Sequence, residues 1–262
     1  MSAAIAGMPR ILEETTSWAI VFKPHGVPSA PLTEGEWGTL LSWFLAERPE
    51  ADAVVGKKAI ERGLIHRLDT ETEGVVLIAK TQAAFDGLAR EQGAGRISKR
   101  YAAFCFRASD TVWGLPPVSA LSEAGRLDRE SLAEGLTVDI VSRFRPYGPG
   151  RKMVLPLFPD MRGYGDAGHT YTTTVEKIDS VPELNALRVV ASLTRGFRHQ
   201  VRAHLAIAGF PLVGDALYCP RIDANHGDGI PLQLHAIAIS FPDPLDGSRV
   251  SFSLPLPDRM SR

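Results

Sequence analysis

Cysteine is nearly missing from this chain: Cys105 and Cys219 are the only two in 262 residues. Two thiols build neither a disulfide framework nor a four-thiolate zinc site. No apolar run approaches the roughly 20 residues of a membrane-spanning helix. Met1 to Leu12 has no sustained apolar core behind a basic start, so no secretory signal is read there. A reduced, cytoplasmic setting is expected. Neither sign of charge dominates. A net charge of −1 argues against a non-specific nucleic-acid binder, which is usually basic throughout. There is no repeat of 20–50 residues and no low-complexity tract. A phosphate-binding glycine loop, a Cys-x-x-Cys pair and a Gly-x-Ser-x-Gly elbow are absent too, which removes the usual sequence signs of nucleotide, thiolate-metal and serine-hydrolase chemistry.

What is present is ordinary in bulk and uneven in detail. Apolar residues make up 44% and charged residues 23%, enough to bury a real core in one large domain or two small ones. Cations gather at Arg90, Arg96, Lys99, Arg100 and Arg107, at Arg143, Arg145, Arg151 and Lys152, and at Arg195, Arg198 and Arg202. Acids gather elsewhere, at Glu13, Glu14, Glu34, Glu36, Glu47 and Glu50. A locally basic groove on a neutral body is one reading; charge alone favours the plainer one, solvated faces.

Alternation and short β-rich runs predict strands near 19–23, 75–79, 101–106, 171–178, 187–193, 234–241 and 249–254. Thr39 is placed to cap a helix over Leu40, Leu41, Phe44 and Leu45 that stops at Pro49, and Thr81 to cap another carrying Ala84, Phe85, Leu88 and Ala89, with Gly93 at its end. A third helix is predicted from about Phe197 to Ala208. Strands outnumber helices without alternating with them regularly, so the fold class is α+β: a mixed, mostly antiparallel central sheet flanked by helices. Residues 108–169 carry Pro116-Pro117, Pro146-Tyr147-Gly148-Pro149-Gly150 and Gly163-Tyr164-Gly165, a turn-dominated stretch read as an excursion from a single domain spanning 1–262.

The run His66-Arg67-Leu68-Asp69-Thr70-Glu71-Thr72-Glu73-Gly74, leading straight into Val75-Val76-Leu77-Ile78-Ala79, is the most informative segment. It sets a carboxylate beside an arginine in a loop where a strand begins, and loops are where chemistry is usually displayed. On spacing alone a turn aspartate capping its own loop is the commoner fate. Asp69, Glu71 and Glu73 mimic the first half of a calcium loop, but Lys80 stands where the bidentate glutamate is needed and a strand follows, so calcium is discarded. In Arg198-His199-Gln200-Val201-Arg202-Ala203-His204, a helix puts Arg198 and Arg202 on one face, an arrangement suited to an anion. His199 and His204 diverge and read as structural. Tyr101, opening a strand behind Lys99 and Arg100, is either an edge tyrosine or a platform on which a base stacks.

The order of these segments carries more than any one of them. Ile20 to Pro28, with Lys23-Pro24-His25-Gly26, the His66–Gly74 run, Ala79-Lys80-Thr81, Ser98-Lys99-Arg100-Tyr101-Ala102-Ala103, Gly196 to His204, Phe210 to Tyr218 with Gly214-Asp215, and Leu234-His235-Ala236 together resemble the RluA-type pseudouridine synthases. The resemblance runs from about Ile20 to Pro257 and is thin over 108–169. Two positions depart from it: Glu73 replaces a serine, and Phe197 replaces the first arginine of Gly-Arg-x-His-Gln-Ile-Arg-x-His.

The resemblance implies the pseudouridine synthase fold and isomerisation of a uridine in ribosomal or transfer RNA, with no cofactor and no metal. It implies base flipping, with Asp69 as the essential carboxylate acting as nucleophile or as base. Tyr101 would stack on the extruded uracil and Arg202 would pair with Asp69. Substrate contacts are expected from Arg67, His66, Lys99, Arg100, Arg198, His199 and Gln200, with Leu234 as an apolar wall. A monomer is expected, with no membrane partner and no separate N-terminal RNA-binding domain before Ile20; target choice then falls on the catalytic domain, with the 108–169 region as a candidate. Two competing readings stand behind it: a catalytically silent RNA-binding or RNA-chaperone relative, and more distantly a hydrolase using Asp69 and His66.

Overall fold

A computed structural model of the chain describes residues 7–106, 137–159, 161–182, 186–219 and 230–256. The chain divides into two compact units, residues 1–99 with 235–255, and residues 100–234 with 256–262.

The first unit is built on β1 (Arg10–Glu14), β2 (Trp18–Lys23) and β3 (Glu73–Ala79). β2 pairs antiparallel with both neighbours, and its register sets Lys23 opposite Gly74. All six residues of the run from Gly74 to Ala79 are buried, which is why the segment reads as an unbroken apolar run rather than an alternating one. β9 (Leu234–Pro242) lies parallel to β3 through Glu73–His235 and Gly74–Ala236, and β10 (Arg249–Ser253) pairs antiparallel with β9. Helix α1 (Leu40–Glu47) starts where expected: the Thr39 hydroxyl accepts from the Ser42 amide, and the Ser42 hydroxyl accepts in return from the Thr39 amide. Helix α2 (Gln82–Gly93) is capped by Thr81, buries Ala84, Phe85 and Leu88, and gives way to Gly95 at φ +72°.

The second unit contains most of β4 (Ser98–Cys105), then β5 (Val138–Tyr147), β6 (Met153–Leu157), β7 (Tyr171–Val181) and β8 (Ala186–Leu193), in the order β4-β8-β7-β5-β6. β5 serves two partners: residues 138–142 pair with β7 and residues 143–147 with β6. These two strands fall inside the stretch read as turns. Ile140, Ser142 and Phe144 are buried at alternate positions, a pattern the flanking prolines and glycines obscure. Residues 107–136, the rest of that excursion, lie outside the described residues. Helix α3 (Gln200–Ile207) has every residue buried. Its start also differs from expectation. His199 takes a left-handed conformation (φ 55°) and precedes the first helical residue, so Arg198 lies off the helix and does not share a face with Arg202.

With β1–β2, β2–β3, β5–β6, β5–β7, β7–β8 and β9–β10 antiparallel and β3–β9 parallel, the architecture is the α+β class read from the sequence. No helix among the described residues is long and apolar enough to cross a membrane.

Candidate active site

The segment from His66 to Gly74 is fixed through its backbone. The Ser29 hydroxyl donates to the Leu68 carbonyl at 2.7 Å and accepts from the Leu68 amide at 3.0 Å. The Thr70 carbonyl accepts from the Gly26 amide (2.9 Å) and from Lys23 Nζ (3.0 Å). A turn closes across the carboxylate-bearing residue, where the Thr72 amide donates to the Asp69 carbonyl at 3.0 Å. Leu68 and Thr72 are buried while Asp69 itself is half-buried. A short loop held on both sides of one carboxylate is preorganised for chemistry at that carboxylate.

Lys23 is the cation beneath this loop. It is fully buried, and its ammonium donates to the carbonyls of Pro24 (3.0 Å), Val27 (2.5 Å) and Thr70 (3.0 Å). Burial pushes its pKa down to about 8, opposed by the negative charges of Asp69, Glu71 and Glu73. Three donors therefore meet three carbonyls. At the loop's exit the Glu73 carboxylate comes within 2.7 Å of His235 Nδ1. Gly74 follows at φ +129°, so close to β9 that a Cβ would stand 2.2 Å from the Ala236 carbonyl oxygen.

His66 turns into the fold. Its Nε2 accepts from the Leu77 amide at 3.2 Å and its Nδ1 is shut off from solvent. Burial, helped by the charge of Lys99, lowers its pKa to about 3. An imidazole so placed is a poor base at neutral pH, which removes the support for the hydrolase reading. Lys99 is also a buried side chain, its pKa lowered to about 8 by burial and by Lys57. Arg67 is exposed and donates to Glu61 at 2.6 Å.

In the second unit, Tyr101 and Leu234 are buried side chains of β4 and β9. Arg100 is ion-paired with Glu176 at 2.5 Å. The Arg202 guanidinium makes a two-pronged contact with Asp215, Nε to Oδ2 and Nη2 to Oδ1, both 2.8 Å. Arg198 donates to the carbonyls of Arg151 and Met153. His199 Nδ1 is 3.2 Å from the Tyr218 hydroxyl. Gln200 is buried, donating to the Thr172 carbonyl and Thr173 hydroxyl and accepting from the Phe197 amide. Phe197 itself stacks on Phe144 (centroids 4.9 Å apart, planes 5° apart) and leans on Tyr171.

The structure thus sorts the expected residues. It places Asp69 in a rigid loop with Lys23 below, and gives Arg202 a carboxylate partner in Asp215. It turns His66 and Gln200 into hydrogen bonds within the fold and buries Lys99. Lys23, Ser29, Asp215 and the Glu73–His235 contact were not singled out beforehand. The lysine and Asp215 were visible as parts of Lys-Pro-x-Gly and Gly-Asp-x-x-Tyr, but nothing local in the sequence announces their partners.

Comparison with known proteins gives one consistent answer. A family model described as RNA pseudouridylate synthase matches residues 17–207. A Chloroflexus aurantiacus protein named RNA pseudouridine synthase is 30% identical over 238 residues, 90% of this chain and 62% of that protein. The ribosomal large subunit pseudouridine synthase D of Neisseria meningitidis is 29% identical over 259 residues, 95% of this chain and 58% of its own length. The chain therefore spans about three-fifths of these relatives. Among solved structures, human RNA pseudouridylate synthase domain containing 1 superposes with a TM-score of 0.62 at 18% identity, covering 95% of this chain and 84% of that one.

Proposed function

The chain belongs to the RNA pseudouridylate synthase family, and from that premise we propose that it isomerises uridine to pseudouridine in RNA, with Asp69 as the indispensable carboxylate. The observation that carries this reading is the anchored loop: its backbone is pinned at Leu68, Thr70 and Thr72 around a half-buried Asp69. In the reaction the bond from uracil N1 to the ribose breaks, the base turns, and a bond from C5 to the same ribose carbon forms. The C5 hydrogen leaves to solvent and N1 gains a proton, so the product is an isomer and no redox partner enters.

The target base must leave its stack, at a cost of a few kcal/mol. Tyr101 is assigned to stack on the extruded uracil and Arg202 to act with Asp69, both on motif order. Asp215 fixes the guanidinium plane of Arg202. Arg67, exposed on the loop, is assigned to phosphate. Leu234 is assigned as an apolar wall. Large-subunit ribosomal RNA is the favoured substrate, following the relatives named for it, with transfer RNA second. One catalytic domain made of both units, acting as a monomer in the cytoplasm without cofactor or metal, completes the proposal.

Release of tritium from RNA labelled at uracil C5 tests it, with ribosomal and transfer RNA as separate substrates. Wild type is expected to release tritium and Asp69→Ala to release none while staying folded. No release by wild type from either RNA, given tight RNA binding, would replace the proposal with a silent RNA-binding protein, the reading that Glu73 and Phe197 keep open.

A further inference from the structure

Glu73 is the departure from the resembled motif that lies closest to Asp69 in the chain, and it is also engaged. It opens β3 directly after the Asp69 loop, pairs in register with His235 of β9, and brings its carboxylate within 2.7 Å of His235 Nδ1, a close approach out of line for a hydrogen bond. The histidine is almost wholly buried and Glu73 is about a quarter exposed, at 3% and 23%, so the contact lies largely out of solvent. The residue after Glu73, Gly74, is the cross-strand partner of Lys23, the cation that holds Thr70. Serine, the residue the resemblance would put here, is two carbons shorter and uncharged.

We infer that Glu73 is a positioning residue for the proposed isomerisation: anchored on His235, it closes the exit of the Asp69 loop as Ser29 closes its entrance and Lys23 its middle. The inference rests on the functional reading above for its link to turnover, though the anchor itself does not. Without this contact the loop keeps its holds at Leu68 and Thr70, while the Thr72–Glu73 end keeps the Thr72–Asp69 turn, the β3–β9 register and the close packing of Gly74 but loses its side-chain contact with β9. The negative charge has a second effect. It lies near Lys23 together with Asp69 and Glu71 and favours the protonated amine that all three carbonyls require. Asp69, Glu71 and Glu73 are the charged groups that bear on that ammonium, and His235 is the titratable group set against Glu73.

The test compares wild type, Glu73→Ser, Glu73→Gln, His235→Asn and the Glu73→Ser/His235→Asn double variant by two readouts. Amide hydrogen exchange at Thr70 to Thr72 reports the loop without any turnover. Steady-state kinetics on RNA report kcat and KM separately. Glu73→Ser is expected to speed exchange at these amides about tenfold and to lower kcat about five- to tenfold, with KM within about twofold of wild type. Glu73→Gln, which keeps the length and loses the charge, falls between. His235→Asn matches Glu73→Ser, and the double variant adds nothing further. Unchanged exchange in Glu73→Ser overturns the inference. So do additive losses in the double variant, or a loss confined to KM, which would make Glu73 an RNA contact instead. If wild type itself shows no turnover, the functional reading falls and the exchange readout alone decides the anchor.

Discussion

Arg202 and Asp215 form a two-pronged ion pair sealed from water, with both contacts at 2.8 Å and side-chain exposures of 3% and 0%. Asp215 is further satisfied by the amides of Leu217 and Tyr218. Removing Asp215 takes a two-pronged partner from a buried guanidinium, and breaking a buried pair costs about 3–5 kcal/mol. Asp215→Ala is therefore expected to lose about that much in urea unfolding. Asp215→Asn keeps acceptors for the two amides and is expected to lose less. A loss under about 1 kcal/mol for Asp215→Ala would mean that the guanidinium is held mainly by other contacts.

Lys23 gives a prediction with a definite sign. Its pKa falls from 10.5 to about 8 on folding, chiefly through burial. Between pH 8 and 10.5 the unfolded chain binds the extra proton, so this group makes unfolding free energy rise with pH, by up to about 1.4 kcal/mol per unit. Locally the trend is opposite: a neutral amine has two N–H donors for three carbonyls, so one hold on the 24–28 turn or on Thr70 is lost. Raising the pH from 7 to 9 is expected to lower the protection factors of the Gly26 and Thr72 amides, with the base-catalysed rise in intrinsic exchange divided out, and to lower turnover. In Lys23→Met the local response disappears and the stability slope falls to what Lys99, whose pKa is also lowered to about 8, contributes, as paired urea and exchange series at pH 7, 8 and 9 will show.

How much of this was legible before the structure depends on the range of the interaction. The caps at Thr39 and Thr81 were legible because a cap is settled within three residues. The strand after Asp69 was legible because both its faces are buried. β5 and β6 were not, since prolines and glycines at 146–150 dominate the local pattern, whereas pairing with β7 across some 30 residues decides the structure. The start of α3 is expected too early, at Phe197, because Phe197 and Arg198 suit a helix; a left-handed His199 sets the start at Gln200. Asp69 stood out through the order of its motif. The partners that fix its loop, from Ser29 to His235, are distant in sequence, and no local pattern reports them.

Two histidines with ring nitrogens shut away from solvent, His204 and His66, make the fold acid-sensitive. His204 lies between the Ser142 and Thr173 hydroxyls at 2.7 and 2.8 Å, with Phe144 against its ring. Burial lowers its pKa from 6.5 to about 3, as it does for His66. Both are neutral when folded, and the unfolded chain takes up their protons first. Their contribution to unfolding free energy is thus flat above pH 6.5 and falls as the pH drops from 6.5 towards 3, by up to about 1.4 kcal/mol per unit for each histidine. His204→Gln, though less stable at pH 7, is expected to show about half the wild-type contribution of these two residues to the slope between pH 6 and 4. An unchanged slope would show that His204 is already protonated in the folded state.

Gly74 offers the sharpest steric test. Its φ of +129° disfavours any L side chain, and an added Cβ would stand 2.2 Å from the Ala236 carbonyl oxygen and 2.6 Å from its nitrogen. These are backbone atoms of the parallel strand that anchors the loop exit, so they cannot swing aside as a side-chain tip would. Gly74→Ala must therefore open the β3–β9 seam or twist the residue after Glu73. Either route is expected to cost about 3 kcal/mol or more, by combined strain and overpacking, and to lower Tm by about 6–12 °C for a chain of this size. Gly93→Ala is the matched control. It sits at the end of α2 with nothing within 4 Å of the added carbon, and is expected to change stability by less than about 1 kcal/mol, in the stabilising direction. If Gly74→Ala unfolds together with wild type, the seam yields easily, and the close approach of β9 is not what fixes the end of the Asp69 loop.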